Sequence, residues 1–391
     1  MKEAIPMQTE KLFEQDVNLR TFEATVLSCE PHASHYRILL DRTAFFPEGG
    51  GQAADQGTAG DARVLDVHAQ GSLIYHDTDR PLAPGAQVLC AVDDDRRMDF
   101  TQQHSGEHIV SGIVHRLFGY DNVGFHIGST AVTLDFNGEL SAQQLDEVER
   151  LANEAVWKDL PVHATYPPAD KLSELPYRSK KEIDGPVRIV EVPGYDLCAC
   201  CGTHVRRTGE IGLIKIVDCI RYKGGVRVSI LCGVRALEDA RQKQRSVREI
   251  SALLCVKSED TAAGVRRLLS ERDALLRQLD ASFERLFERM ACEIPEGAPL
   301  YTAFVEGLSP AQVRRCACVF GRRAQVAAVF SPEGEGCRFA ITSIDADVRP
   351  LGKALLAALG GRGGGPKDLV QGTVACADPK AIRAALNACD R

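Results

Sequence analysis

No stretch of this 391-residue chain stays apolar over the length of a bilayer, and its first residues, Met1-Lys-Glu-Ala-Ile-Pro-Met-Gln-Thr-Glu, lack the apolar core of a secretory signal. The expected class is therefore a soluble cytoplasmic protein. An excess of positive charge is also missing. A formal charge of −7 argues against a protein that coats nucleic acid indiscriminately. The late run Gly360-Gly-Arg-Gly-Gly-Gly365-Pro-Lys-Asp lacks the Gly-Lys-Ser/Thr ending of a phosphate-binding loop, so nucleotide hydrolysis is not expected. Fourteen cysteines are present but mostly scattered singly inside apolar segments, where the thiol behaves as a small buried hydrophobe. Only the cluster from Cys198 to Cys201 looks chemical.

What is present fits two or three globular domains: 44% hydrophobic and 26% charged residues. Residues 1–92 alternate apolar and polar positions between turn residues, which predicts a small antiparallel β-barrel. Inside it lies Thr43-Ala-Phe-Phe-Pro-Glu48-Gly49-Gly50-Gly51-Gln52, whose three glycines let backbone approach a ligand closely. Residues 93–233 read as an α+β domain, opening with a polar turn at Asp93-Asp-Asp-Arg-Arg97 and including a helix capped by Ser141. Residues 234–295 turn to long charged helices, with Leu275, Leu279, Phe283 and Leu286 near heptad spacing, as in a helical hairpin or a dimer arm. Strands and helices resume over 296–391. From Arg206 to Arg248 eleven basic residues stand against four acidic ones, a candidate nucleic-acid surface or merely a solvated face.

The segment Thr101-Gln-Gln-His104-Ser-Gly-Glu107-His108-Ile-Val-Ser-Gly-Ile-Val reads as an amphipathic helix. His104 and His108 then share one face a turn apart, so both imidazoles can converge on one divalent ion. Ser111 and Gly112 leave room beside them. The rest of a metal site is sought in Cys198-Ala-Cys200-Cys201-Gly202-Thr203-His204, a thiolate and imidazole on a glycine-containing turn. Paired as His-x3-His and Cys-x3-His, the two halves give a tetrahedral Zn2+ site, with the choice among the three cysteines still open. A rival reading takes His104-Ser-Gly-Glu107-His108 as the His-x-x-Glu-His signature of a zinc metallopeptidase with Glu107 as general base. His115, one heptad after His108, is expected to be structural.

These motifs resemble the AlaX family of free-standing alanyl-tRNA editing proteins in its long form, and the editing and C-terminal domains of alanyl-tRNA synthetase. The resemblance spans nearly the whole chain, and its spacing selects Cys200, giving His104, His108, Cys200 and His204 as zinc ligands. It implies an α+β fold with a C-terminal α/β domain of the DHH-associated type, although no DHH triplet is present and phosphoesterase activity is not expected. It also implies an aminoacyl-tRNA deacylase that hydrolyses Ser-tRNA(Ala), and Gly-tRNA(Ala) besides, while sparing Ala-tRNA(Ala). The partner implied is tRNA(Ala), and a homodimer through the arm or C-terminal domain is expected. Thr43 becomes the candidate for reading the serine hydroxyl, Gln52 and the Gly49–Gly51 backbone for holding the aminoacyl end, and Glu107 for acting on water. No segment long enough for aminoacylation precedes these motifs, so ligase activity is not expected. A non-catalytic tRNA-binding module with structural zinc is the remaining alternative.

Overall fold

The computed structural model describes residues 8–172, 174–179 and 186–388. The chain divides into two compact units, one ending at Ser246 and the other beginning at Val247. No helix among the described residues is long and apolar enough to cross a membrane.

In the first unit, six antiparallel strands ring a core: β1 (Thr21–His32), β2 (His35–Leu40), β3 (Gly57–Ala59), β4 (Ala62–Gln70), β5 (Leu73–Thr78) and β6 (Gln87–Val92). Their order is β1-β2-β5-β4-β3-β6, and β6 pairs back to β1, so no edge is left open. Inward positions such as Val26, Ile38, Val64, Ile74 and Cys90 alternate with outward polar ones along each strand and fill the interior with Phe22 and Phe45.

Helix α1 (Asp94–Phe118) follows at once. The stretch expected as a polar turn is in fact its first turn: Asp93 caps it by accepting from the Arg96 N–H, Asp94 and Asp95 complement its dipole, and Arg97 is fully buried. The expected amphipathic stripe is also exceeded, since every residue from Phe100 to Val114 is buried. This helix is a central rod, and that explains its polar buried residues: each must be hydrogen-bonded. Gly119, at φ 69°, ends it in the left-handed conformation.

Around the rod pack β7 (Asn122–Ile127), β8 (Val132–Phe136), α2 (Ala142–Trp157), β9 (His163–Thr165), β10 (Ile189–Val192), β11 (Asp196–Ala199), β12 (Ile214–Tyr222) and β13 (Gly225–Cys232). The order β12-β13-β8-β7 gives a four-stranded sheet, and β9-β10-β11 a separate three-stranded one. Ser141 and Gln144 form the capping box of α2. Lys223 and Gly224, both at positive φ, make the tight β12–β13 turn that the Gly224-Gly225 pair foretells.

Helix α3 (Gly233–Leu254) runs across the unit boundary, and α4 (Thr261–Ala291) lies in the second unit. That unit also holds a mixed five-stranded sheet, in which the glycine-run strand Gly361–Gly364 is an edge.

Candidate metal centre

The one-turn spacing of His104 and His108 on α1 places their rings side by side, with centroids 5.4 Å apart. Across from them, β11 leads into the turn that carries Cys200 and His204. The ligand atoms of His104, His108, Cys200 and His204 all lie within 4.8 Å of one another. Cys200 Sγ sits 3.4 Å from His104 Nε2 and 3.3 Å from His204 Nε2. The three imidazoles are buried, and the cluster meets the surface through partly buried Cys200 and exposed Cys201. Cys198 turns inward instead and forms a second group with His108 and Asp196.

Each histidine is held by its other ring nitrogen, the arrangement metal-binding imidazoles need to fix tautomer and orientation. His104 Nδ1 lies 2.8 Å from Gln52 Oε1, and His108 Nδ1 lies 2.8 Å from Asp196 Oδ2. Ser105 Oγ stands 3.5 Å from His204 Nδ1. With Nδ1–H donated, the Nε2 lone pairs of His104 and His108 face the cluster. Asp196, absent from the sequence reading, is itself held by Arg178 Nε at 2.8 Å. The residues fit a zinc ion by donor type, by convergence and by this outer support.

Glycines set how close the two halves come. A Cβ at Gly202 would lie 2.1 Å from His104 Cε1, and one at Gly112 would lie 2.3 Å from the Tyr195 carbonyl oxygen. The room expected beside Gly112 is thus filled by the strand start that carries Asp196.

Gln52 reaches the cluster through its side chain. The Gly49–Gln52 segment is a tight turn whose two backbone N–H groups pair reciprocally at 3.0 Å, with Gly50 and Gly51 at φ 59° and 82°. That turn aims Gln52 at the metal cluster, where its amide joins His104 to Thr203 Oγ1 (3.0 Å). Its side chain is buried and engaged at both ends. Gly51 packs on Phe125, whose ring stacks 5.0 Å from His104.

Thr43 lies inside the barrel wall, fully buried, its Oγ1 2.8 Å from His76 Nε2 and accepting from the Phe45 N–H. No described contact joins it to the metal cluster, and its hydroxyl is spent on shaping the segment before the glycine turn. Glu107 is buried rather than displayed on an exposed face: Oε1 accepts from Ser111 and Asn122, each at 2.7 Å, and Oε2 stands 3.8 Å from His108 Nε2. His115 is solvent-facing and paired with Asp121.

Electrostatics pre-form the site for a cation. Burial alone would raise the Cys200 thiol pKa, but His104, His204 and His108 outweigh it and hold it well below the usual value. Burial, with the neighbouring His108 charge, pushes His204 down to about 3. Burial also opposes charge on His108, yet the Cys200 thiolate and Asp196 hold its pKa well above 6.5. Around neutral pH the metal-free site therefore carries a proton at His108 that a cation must displace. Zinc affinity is expected to rise with pH above 6.5, by up to about tenfold per unit, and to level off above the raised His108 pKa. Chelator competition across pH measures this, and a profile flat through neutrality would refute it.

The expected basic surface is largely neutralised. Of the eleven cations between Arg206 and Arg248, seven pair with carboxylates: Arg206, Arg207, Lys215, Arg221, Arg227, Arg235 and Lys243.

Residues 187–268, which contain Cys200 and His204, match the family described as threonyl and alanyl tRNA synthetase second additional domain. The chain is 32% identical over 275 residues to alanyl-tRNA editing protein Aarsd1 of Rattus norvegicus, covering 66% of this chain and 67% of that protein. It is 36% identical over 287 residues to an alanine–tRNA ligase of Methanopyrus kandleri, covering 69% of this chain but only 31% of the ligase. A ligase of Thermofilum pendens aligns at 30% identity with 94% of this chain and 42% of its own length. On sequence similarity and shared length, the chain belongs to the AlaX-like family of alanyl-tRNA editing proteins.

Proposed function

We propose that this protein is a trans-acting deacylase that hydrolyses the ester linking a wrong amino acid, serine and secondarily glycine, to the terminal adenosine of tRNA(Ala), while sparing Ala-tRNA(Ala). The observation that carries the reading is the four-residue cluster with its separately anchored imidazoles, in a chain whose relatives are named for alanyl-tRNA editing. Bound zinc would be held by His104, His108, Cys200 and His204, and would supply Lewis acidity toward an ester carbonyl or lower the pKa of water. Gln52 and Asp196 keep two of those imidazoles in register. Glu107, whose Oε2 stands 3.8 Å from His108 Nε2, would hold or accept a proton from water. The Gly49–Gly51 turn brings backbone up to the cluster with little side-chain bulk.

The need for such a site is physical: a hydrophobic synthesis pocket rejects a substrate that merely adds a hydroxyl only weakly, so fidelity needs a second, hydrolytic sieve. A peptidase of the His-x-x-Glu-His type would leave Cys200, His204 and the Gln52–His104 contact without a role. The test follows deacylation of Ser-tRNA(Ala) and Ala-tRNA(Ala). Selective loss of serine supports editing, peptide cleavage favours the peptidase, and tRNA binding without deacylation favours the module. Thr43→Val in the same assay should weaken the serine preference severalfold, because the lost acceptor for the Phe45 N–H lets the glycine segment shift, while zinc content is retained. Unchanged selectivity would remove Thr43 from the site.

A further inference from the structure

The sharp turn between β10 and β11 reads Val192-Pro193-Gly194-Tyr195. Tyr195 N–H donates to Val192 O at 2.9 Å, and Gly194 sits at φ 78°, the type II arrangement that Pro-Gly favours. Its outcome is to hold Tyr195 at the surface, immediately before the Asp196 that supports His108. Two cations converge on that ring from different helices. The Arg116 guanidinium, near the end of α1, stands 5.5 Å from the ring centroid, and Lys158 Nζ, just past α2, stands 5.4 Å from it. Lys158 Nζ also donates to Tyr195 Oη at 2.9 Å, and Arg116 donates to the Gly194 carbonyl. These groups line a shallow depression with Leu151, Leu160, Pro193 and one carboxylate, Glu154.

Most cations on this face of the sequence are cancelled, but these two are not. Among the described residues neither Arg116 nor Lys158 has a carboxylate ion-pair partner. The nearby Glu154 is committed to Arg150, and Arg207 is committed to Asp159. Two like charges brought to one ring repel each other unless an anion joins them, and a π-face offsets only part of that cost. The pair is therefore electrostatically incomplete, on a chain that is net acidic.

We propose that Arg116, Lys158 and the Tyr195 hydroxyl form a phosphate-binding subsite that grips the backbone of the RNA substrate, with Tyr195 positioning the two cations. This rests on the editing reading for the identity of the partner. A backbone phosphate has the charge and acceptor oxygens to satisfy a guanidinium, an ammonium and a hydroxyl together. Because Tyr195 and Asp196 are consecutive, binding there fixes the RNA against the segment that supports the metal centre.

The test titrates the full-length, zinc-loaded protein with an unacylated tRNA(Ala) transcript over a series of salt concentrations. Arg116→Gln with Lys158→Gln is expected to weaken binding by about tenfold at low salt and to lower the salt slope by about 1, as for one lost phosphate contact. Tyr195→Leu should reproduce part of the loss, whereas Tyr195→Phe, which keeps the ring, should lose less. Zinc content and thermal midpoint, read alongside, separate this from a disturbed Asp196. Wild type that binds RNA, with a double variant of unchanged affinity and slope, overturns the subsite and leaves the editing reading standing. Wild type that binds no RNA overturns both.

Discussion

Replacing His104 with alanine is expected to strip the bound zinc and to cut deacylation of Ser-tRNA(Ala) by more than about a hundredfold. Loss of an outer-shell partner already costs about 10–100-fold in metal affinity, and a direct ligand contributes more. His104 is also the residue on which the barrel acts, since Gln52 reaches it and Gly202 is cleared for its ring. Asp196→Asn provides a graded comparison. The amide oxygen can still accept the His108 Nδ1–H, but the charge that holds His108 and pairs with Arg178 is gone. Zinc affinity should fall by about 10–100-fold, with activity restored by excess metal. Metal content by atomic absorption and deacylation rate measure both variants. Full activity in metal-depleted His104→Ala would end the zinc-dependent reading.

The order of these effects reflects what a sequence can and cannot carry. His104 and His108 were legible because helical periodicity fixes their relation locally, and Cys200 and His204 because four residues on a turn do the same. Asp196 was not, since it reaches His108 only through the β10–β11 turn, 88 positions along the chain. Gln52 was visible as part of a motif, but its partner lies in another element, and a substrate contact and a ligand support look identical in one dimension. The ion pairing of the basic run from Arg206 to Arg248 was hidden for the same reason: Asp99, Asp135, Glu139, Glu149 and Asp159, which pair with five of its cations, precede it by dozens of residues. The β-strands of the first 92 residues were readable from alternation, because one face of each is buried and the other wet. On α1 the helix was legible but the extent of its burial was not, because polar residues such as Gln103, Ser105 and Glu107 also face inward.

Arg97 is the clearest case of chemistry hidden in a charged string, and its removal should give the largest loss of stability. In Asp93-Asp-Asp-Arg-Arg97 it looks like one more surface charge, yet its side chain and that of Asp55 are both 0% exposed. Its Nε donates to Asp55 Oδ2 at 3.0 Å, Nη1 donates to the Val17 carbonyl at 2.9 Å, and Nη2 reaches the Ala44 carbonyl. Asp55 in turn accepts from the Phe46 N–H at 2.6 Å, so this one guanidinium ties helix α1 to the segment that contains the glycine turn. Arg97→Met keeps much of the volume but leaves the Asp55 carboxylate buried without its cation and the Ala44 carbonyl without the Arg97 donor, while Val17 keeps Arg20, at a cost of about 3–5 kcal/mol. Urea unfolding should show a lower midpoint with an unchanged slope. Adding Asp55→Asn should recover part of the loss, because the stranded charge is then gone. The same variants should also lose zinc affinity, since Arg97 precedes His104 by about two helical turns and fixes how Gln52 meets it. If Arg97→Met unfolds at the wild-type midpoint, the buried pair does not join the barrel to the helix that carries His104 and His108, and the alignment of Gln52 must come from the Gly51–Phe125 packing instead.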